Sequence, residues 1–482
     1  MMSEKIIPNK CKLKHNSEYY NTTLFKWRQR IGFGISDYAC NLAYLLVNTY
    51  LLFYYTNCAQ IGAGLIGVMF VFTKVFDGVT DYLVGVMIDR TNTKMGRNRP
   101  WMFWGAPVLA VGMVLLFCVP VEWSEGAKLA WAYITYMIFS FGYTLVNIPM
   151  GTIVPSLSAD ALERTKIVTA RTFFANLGSL TSASMVIPMV YYFAGGQDAS
   201  NAMLAVGYRN TNIVLGIIVI VIMWLCVFNV EEVNPPLIVK RDKKKGNSFL
   251  DDLKEVFSYK PFVLILGVIL FLFGGYYCMF GAIQYYFTYV IGDVNKMSLA
   301  TSLLTIVPIL TQLLSPKLNQ RFTKRDIMQV GAIMDLVAYI MLFLFYKNII
   351  VVYAMIILLG LGMGMRQVMY FSMLADCVDY GEWKTGRSLA GTQGAVNGFT
   401  GKIASALASA IVSGLLVWGS YDATAAVQSD SALLAIRFGF AGISIITTVI
   451  CIVLMHFYDL DKKYADIKKE LDERRIKQGK AE

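Results

Sequence analysis

Apolar residues run through this chain in long, nearly uninterrupted stretches, not in the one-sided stripes of a surface helix. Twelve such stretches can be marked, at about 31–55, 61–88, 101–120, 127–154, 168–194, 211–230, 261–290, 298–316, 328–346, 350–374, 390–418 and 433–457. Most reach the roughly 20 residues a bilayer-spanning helix needs. In lipid the backbone must satisfy its own polar groups, so the stretches are expected to be helical. The expected fold class is an all-α polytopic membrane protein with 12 transmembrane helices. The longest polar interruption falls between the sixth and seventh stretches. The chain then divides into a cytoplasmic N-terminal segment 1–30, an N-terminal six-helix bundle 31–230, a basic cytoplasmic linker 231–260, a C-terminal six-helix bundle 261–457 and a cytoplasmic tail 458–482.

Composition supports this layout. Of 482 residues, 56% are hydrophobic and 16% charged, whereas soluble domains carry about 25% charged residues. A net charge of +11 would suggest nucleic acid in a soluble protein. Here the cations collect in alternate loops, including the 240–245 run, so they report topology and no nucleic-acid partner is expected. Both termini and the linker are placed in the cytoplasm, with the chain multi-pass in the plasma membrane. No removable signal peptide is evident, so the first span serves as the targeting signal. The tail beyond Leu460 alternates charges and is expected to be a solvated amphipathic helix lying on anionic lipid. The eight cysteines are scattered singly, without metal spacing, and are read as core packing. The two histidines, His15 and His456, lie outside the central membrane region. With no nucleophile–base pair or metal cluster, an enzyme is not expected.

Ionisable residues inside apolar stretches are costly and mark function. The second stretch contains Lys74, Asp77, Thr80 and Asp81. Asp77 and Asp81 are i, i+4 and share a helix face that Lys74 borders. Two such close carboxylates need a cation, a proton or Lys74 to balance them, so the cluster reads either as a small-cation site or as a buried structural ion pair. Span one carries Asp37, with Asn41 a turn later and Asn48 beyond. Span four carries Tyr143, Thr144, Asn147 and Pro149; span five opens with Arg171. These donors and acceptors suit a neutral polyhydroxylated ligand. The tyrosine pairs 54/55, 276/277 and 285/286 are read as interfacial belts or as platforms for a sugar face. Arg366 in span ten faces an anionic ligand group or pairs with Asp376 below it. Lys402 in span eleven has no acid nearby on its own helix, so its partner is expected in the first half. After span two, Asp89 is surrounded by Arg90, Lys94, Arg97 and Arg99. That loop can pair within itself and with carbonyls at helix ends, latching the bundles on the cytoplasmic side. Residues 375–387 read as a charged cytoplasmic loop.

Four motifs recur in order from about Ile31 to His456: Phe76-Asp77-x-x-x-Asp81, Arg97-x-Arg99-Pro100-Trp101, Val146-Asn147-Ile148-Pro149, and Ala375-Asp376-x-Val378-Asp379-Tyr380-Gly381-Glu382-Trp383. Together they resemble the glycoside–pentoside–hexuronide:cation symporters, the family typified by the bacterial melibiose carrier. The resemblance implies a major facilitator fold of two six-helix bundles that rock around a central cavity. It implies a cation site at Asp77, Asp81, Thr80 and Thr144, which Na⁺ can occupy. It implies sugar contacts at Asp37, Asn147 and Arg171, beside Tyr143 and with Arg366 available to a uronide carboxylate. Lys402, with Lys74, takes the coupling role between the two sites. The chain departs from the melibiose carrier at Asn147, Gly151 and Thr80, which turns the expected substrate from galactosides toward glucuronides and xylosides. No cofactor is implied, only a coupling ion, Na⁺ or H⁺. The partners implied are the sugar, the cation and membrane lipid, with the protein a monomer. The rival readings are a lysolipid or amphiphile cation symporter of the same architecture and a non-transporting sugar sensor.

Overall fold

The structure is a computed structural model describing residues 22–158, 160–196, 199–233, 249–386, 389–425 and 427–479. The basic run at 240–245 and Arg387 lie outside the described residues. The chain forms two compact units, Met1–Asp242 and Lys243–Glu482. Among the described residues every extended element is a helix. The first unit contains α1 (Thr23–Phe53), α2 (Ala63–Arg90), α3 (Arg99–Leu116), α4 (Glu125–Thr152), α5 (Ala161–Ala194) and α6 (Asn201–Asn229). The second contains α7 (Lys260–Tyr285), α8 (Asn295–Asn319), α9 (Lys324–Leu344), α10 (Ile349–Thr385), α11 (Ala390–Trp418) and α12 (Ile443–His456), the last led in by Asp430–Arg437 and one π-helical turn. A final helix, α13, spans Leu460–Gly479.

Among the described residues, eleven helices are long and apolar enough to cross a membrane. Of α1 to α12, the one outside that set is α1, although it is 31 residues long. Asp37, Asn41 and Asn48 lower its apolar character. Its polarity is the first sign that this helix lines a wetted site and does not face lipid alone. Several helices run past the apolar stretches that announce them. α6 begins at Asn201, capped by the Ser200 hydroxyl, about ten residues before its hydropathy signal. Hydropathy locates the membrane-crossing part, whereas capping residues set the true ends.

Two sequence expectations are corrected here. Tyr54, Tyr55, Tyr285 and Tyr286 are neither interfacial belts nor sugar platforms, because all four are buried. They sit where α1 and α7 each widen into a π-helical turn. The Val119 N–H donates to the Tyr54 hydroxyl at 3.2 Å, and the Tyr286 hydroxyl donates to the Tyr346 carbonyl at 2.6 Å. Aromatic rings with one polar handle are anchoring a chain reversal inside the unit.

The stretch from Ala375 is also not a loop. α10 continues helically to Thr385 and closes at Gly386, whose φ of +70° suits glycine. Its charges are matched by neighbours. Lys324 at the start of α9 donates to Asp376 at 2.5 Å. Asp379 accepts from Tyr464 at 2.8 Å and from Lys468 at 3.2 Å, and Trp383 donates to Glu470 at 2.8 Å. The tail helix α13 is therefore docked on α10, with Leu460, Ile467 and Leu471 buried beneath it. Truncating Ile467 to Ala should cost about 2 kcal/mol of docking, read as at least tenfold faster protease cleavage within α13 in the purified protein.

Candidate functional site

In the first unit, α2 and α4 lie side by side and present matched ladders. The Ser140 hydroxyl donates to Asp77 Oδ1. One turn on, the Thr144 hydroxyl donates to Asp81 Oδ1 at 2.8 Å. The i, i+4 spacing of the two acids is repeated by the two hydroxyls, so both pairs form at one relative placement of the helices. Lys74 approaches the other Asp77 oxygen at 3.4 Å and lies 5.6 Å from the Tyr136 ring centre. Asp77, Thr80, Ser140 and Thr144 are all buried, while Asp81 is half-buried. The Thr80 hydroxyl donates back to Phe76 and Asp77 carbonyls at 3.2 and 3.0 Å, so only its oxygen lone pairs remain for a ligand. The result is a compact set of hard oxygen atoms around two carboxylates and one ammonium. Such a donor set suits a hard cation or a proton, not a soft metal. Ser140 is absent from the sequence reading. It precedes Thr144 by four residues and so lies on the same face.

A second cluster forms between α1 and α5. Arg171 Nε donates to Asp37 Oδ2 at 2.8 Å, and the Asn41 amide donates to Asp37 Oδ1 at 3.2 Å. Asp37 is 8% exposed, and Arg171 also lies over the Phe33 ring at 5.9 Å. Asn147 is half-buried on α4, with no hydrogen bond from its amide among the described residues. Tyr143 packs against Tyr44 at 5.7 Å and Phe139 at 6.3 Å, and Phe139 meets Tyr136 at 6.2 Å. A file of rings on α4 thus begins beside the Lys74–Asp77 pair and ends at Tyr143. The acids and amides can bind hydroxyl groups in both directions, donor and acceptor, while the rings supply apolar faces.

The loop after α2 resolves differently from its sequence reading. The Asp89 side chain lies outside what the structure describes, and Arg90 is exposed. Among the described residues the loop also holds Glu232, just past α6, which the sequence reading did not single out. Its carboxylate accepts from the backbone N–H groups of Arg97, Asn98 and Arg99 at 3.1, 2.8 and 3.3 Å. An anion is thereby held at the N-terminus of α3. The Arg97 side chain donates to the Ile88 carbonyl at 3.1 Å, and that of Arg99 to Val227 at 2.9 and 2.6 Å. Burial lowers the Arg97 guanidinium from its usual value, and the Glu232 charge partly restores it. The loop therefore ties together the ends of α2, α3 and α6 within the first unit. Glu232→Ala should destabilise the protein by about 2–3 kcal/mol, seen as a lowered Tm with unchanged helix content.

In the second unit, Lys402 is half-buried on α11. Arg366 does not pair with Asp376. The two are ten residues apart on one helix, about 15 Å, and Asp376 is taken by Lys324. Arg366 instead pairs with Asp335 on α9, an intramembrane acid that the sequence reading passed over. Asp335 stands alone in its apolar stretch, and only the packing of α9 on α10 makes its partner evident.

Two bundles of spanning helices, with carboxylates and amides buried within them, define a membrane carrier for polar solutes. The MFS/sugar transport protein family matches residues 32–462, and the chain belongs to this family, as a symporter of the glycoside–pentoside–hexuronide type. It is 32% identical over 438 residues to an isoprimeverose transporter of Lactiplantibacillus pentosus, covering 90% of this chain and 89% of the relative. It is 28% identical to a glucuronide carrier protein homolog of Escherichia coli (strain K12), covering 93% and 96%. Its fold is similar to that of a D-xylose-proton symporter, with a TM-score of 0.65 at 13% identity over 92% of this chain and 99% of that one. These relatives are transporters, and the chain is a transport protein rather than an enzyme.

Proposed function

We propose that the protein imports a glycoside by symport with a cation bound at Asp77 and Asp81. The observation that carries this reading is the double ladder of Asp77 with Ser140 and Asp81 with Thr144, bordered by Lys74. Two carboxylates and one ammonium leave a net charge of −1, which a single Na⁺ or H⁺ neutralises. Neutralisation holds α2 against α4, and Tyr143 and Asn147 on α4 then take the sugar with Asp37 and Arg171. Lys402 takes the coupling role that the family resemblance implies. Half-filled states leave unpaired charge in a medium of low dielectric and resist switching, so the two ligands move together.

The substrate class follows from chemistry. Arg171 is already paired with Asp37, and Arg366 with Asp335. A carboxylate-bearing sugar would have to displace one of those acids, whereas a neutral glycoside need only share them. The relative named an isoprimeverose transporter supports the neutral reading, and the one named a glucuronide carrier homolog supports the charged one. The neutral pentoside or glycoside is preferred here. The carrier works as a monomer in the plasma membrane, with both termini cytoplasmic.

The test is uptake by proteoliposomes offered labelled xyloside, glucuronide and galactoside under an imposed Na⁺ gradient, then under a proton gradient. Xyloside accumulation under one of the gradients is the expected result. Equilibration without accumulation would mean a facilitator with structural aspartates. Movement of lysolipid, but of no sugar, would transfer the function to amphiphiles.

A further inference from the structure

The ladder between α2 and α4 has a third rung. Tyr136 precedes Ser140 by one helical turn, as Ser140 precedes Thr144, so three hydroxyl-bearing residues stand in file on α4. They meet Lys74, Asp77 and Asp81 of α2 in that order. At the first rung the Lys74 ammonium donates to the Tyr136 hydroxyl, with Nζ 5.6 Å from the ring centre. The same ammonium lies 3.4 Å from Asp77 Oδ2, longer than the about 2.7–2.9 Å of a charge-assisted hydrogen bond. The other Asp77 oxygen accepts from Ser140. Tyr136 is 3% exposed, and its ring makes edge contacts with Phe70 at 5.7 Å and Phe139 at 6.2 Å. Packing therefore fixes the position of its hydroxyl.

The two partners of Lys74 differ in kind. The carboxylate neutralises the ammonium, whereas the hydroxyl only solvates it. A coupling ion that reaches Asp77 meets Lys74 at the same oxygen, and like charges that close repel strongly in a medium of low dielectric. Water takes up little of the displaced ammonium, because the Lys74 side chain is 14% exposed. The Tyr136 hydroxyl can receive it, and the flexible four-carbon stem of lysine lets the charge move between the two. When the ion leaves, the ammonium returns to Asp77. The empty cluster then carries one uncompensated carboxylate charge where it would otherwise carry two.

We propose that Lys74 is a tethered counter-ion that competes with the coupling ion for Asp77, and that Tyr136 is the positioning residue that receives its ammonium while the ion is bound. The inference rests on the reading of Asp77 and Asp81 as the ion site and adds how that site is regulated. Lys74 holds the ion affinity down, and it lets the empty carrier reset.

The test compares Lys74→Met and Tyr136→Phe with wild type in proteoliposomes at one pH, after each purified variant is shown to melt as wild type does. Net uptake of labelled methyl xyloside is measured under imposed Na⁺ and proton gradients. Exchange of labelled for unlabelled xyloside is measured with sugar on both sides, as a function of the ion that drives wild-type uptake. Net uptake passes through the empty carrier in every cycle, and exchange does not. In Lys74→Met, net uptake should fall about tenfold more than exchange, and the ion concentration that half-saturates exchange should drop about tenfold. In Tyr136→Phe, which keeps the ring and removes the hydroxyl, that concentration should rise about tenfold. These opposite shifts are what a merely structural ion pair would not produce. Exchange and net uptake falling together in Lys74→Met, or an unshifted ion requirement in either variant, would overturn the proposal and leave the ion site standing. If Lys74→Met fails to fold, the ion requirement of Tyr136→Phe decides alone. A wild type whose exchange and uptake need neither ion would overturn the ion site itself, and this inference with it.

Discussion

Asp77→Asn and Asp81→Asn are each expected to abolish gradient-driven accumulation of glycoside, not merely to weaken it. The reason is the charge balance around the ladder. Asp77, Asp81 and Lys74 sum to −1, and Lys74 lies 3.4 Å from Asp77. Losing either acid brings the cluster to neutrality, so an incoming cation meets no net attraction. At an effective dielectric near 20, one unit charge at 4 Å contributes about 4 kcal/mol, and losing most of that lowers cation affinity about a hundredfold or more. The variants should differ in one respect. In Asp77→Asn the ammonium of Lys74 loses its partner and repels the cation directly, so this variant should be the more damaged in exchange assays. Ser140→Ala removes one neutral oxygen and should cost only about tenfold, in line with a single lost hydrogen bond to a charged group. Uptake by proteoliposomes under Na⁺ and proton gradients checks all three. Accumulation that survives in both aspartate variants would show the carboxylates to be a structural ion pair.

Breaking the Asp335–Arg366 pair from one side should have the largest effect on stability. Asp335→Asn leaves a guanidinium in the interior without its carboxylate, and Arg366→Gln leaves the carboxylate stranded. Each should cost about 3–5 kcal/mol, because an uncompensated buried charge is left behind. Replacing both at once, Asp335→Leu with Arg366→Met, should cost little, since the desolvation penalty of both charges disappears with their attraction. The strong non-additivity is the signature of the contact. It is read by thermal unfolding of the purified protein, where the single variants melt well below wild type and the double variant close to it. Additive losses would mean that the two side chains act separately.

Much of this molecule was legible in its sequence. The apolar stretches announced the spanning helices, because lipid leaves the backbone no other partners. The i, i+4 spacing of Asp77 and Asp81 fixed their common face, because helix periodicity needs no tertiary information. The order of four short motifs carried the family. Helix ends were less legible, since α6 and α10 extend beyond the apolar stretches into more polar sequence. The hydroxyl of Ser140 was hidden for a related reason. Serine is common in helices, and nothing local distinguishes one that meets a carboxylate.

What the sequence could not decide was which polar group meets which. Arg366 had a plausible acid ten residues along its own helix, yet its partner, Asp335, belongs to α9. Glu232, which no local signal marks, accepts from three N–H groups at the start of α3. The tail, read as a helix lying on lipid, proved to be docked on α10 by Tyr464, Lys468 and Glu470. The physical reason is common to all three. Periodicity and hydropathy are properties of neighbours along the chain, and the sequence by itself determined the helices and their polar faces. Charge pairing depends on distances of a few ångströms between segments far apart in sequence, and only the tertiary structure sets those.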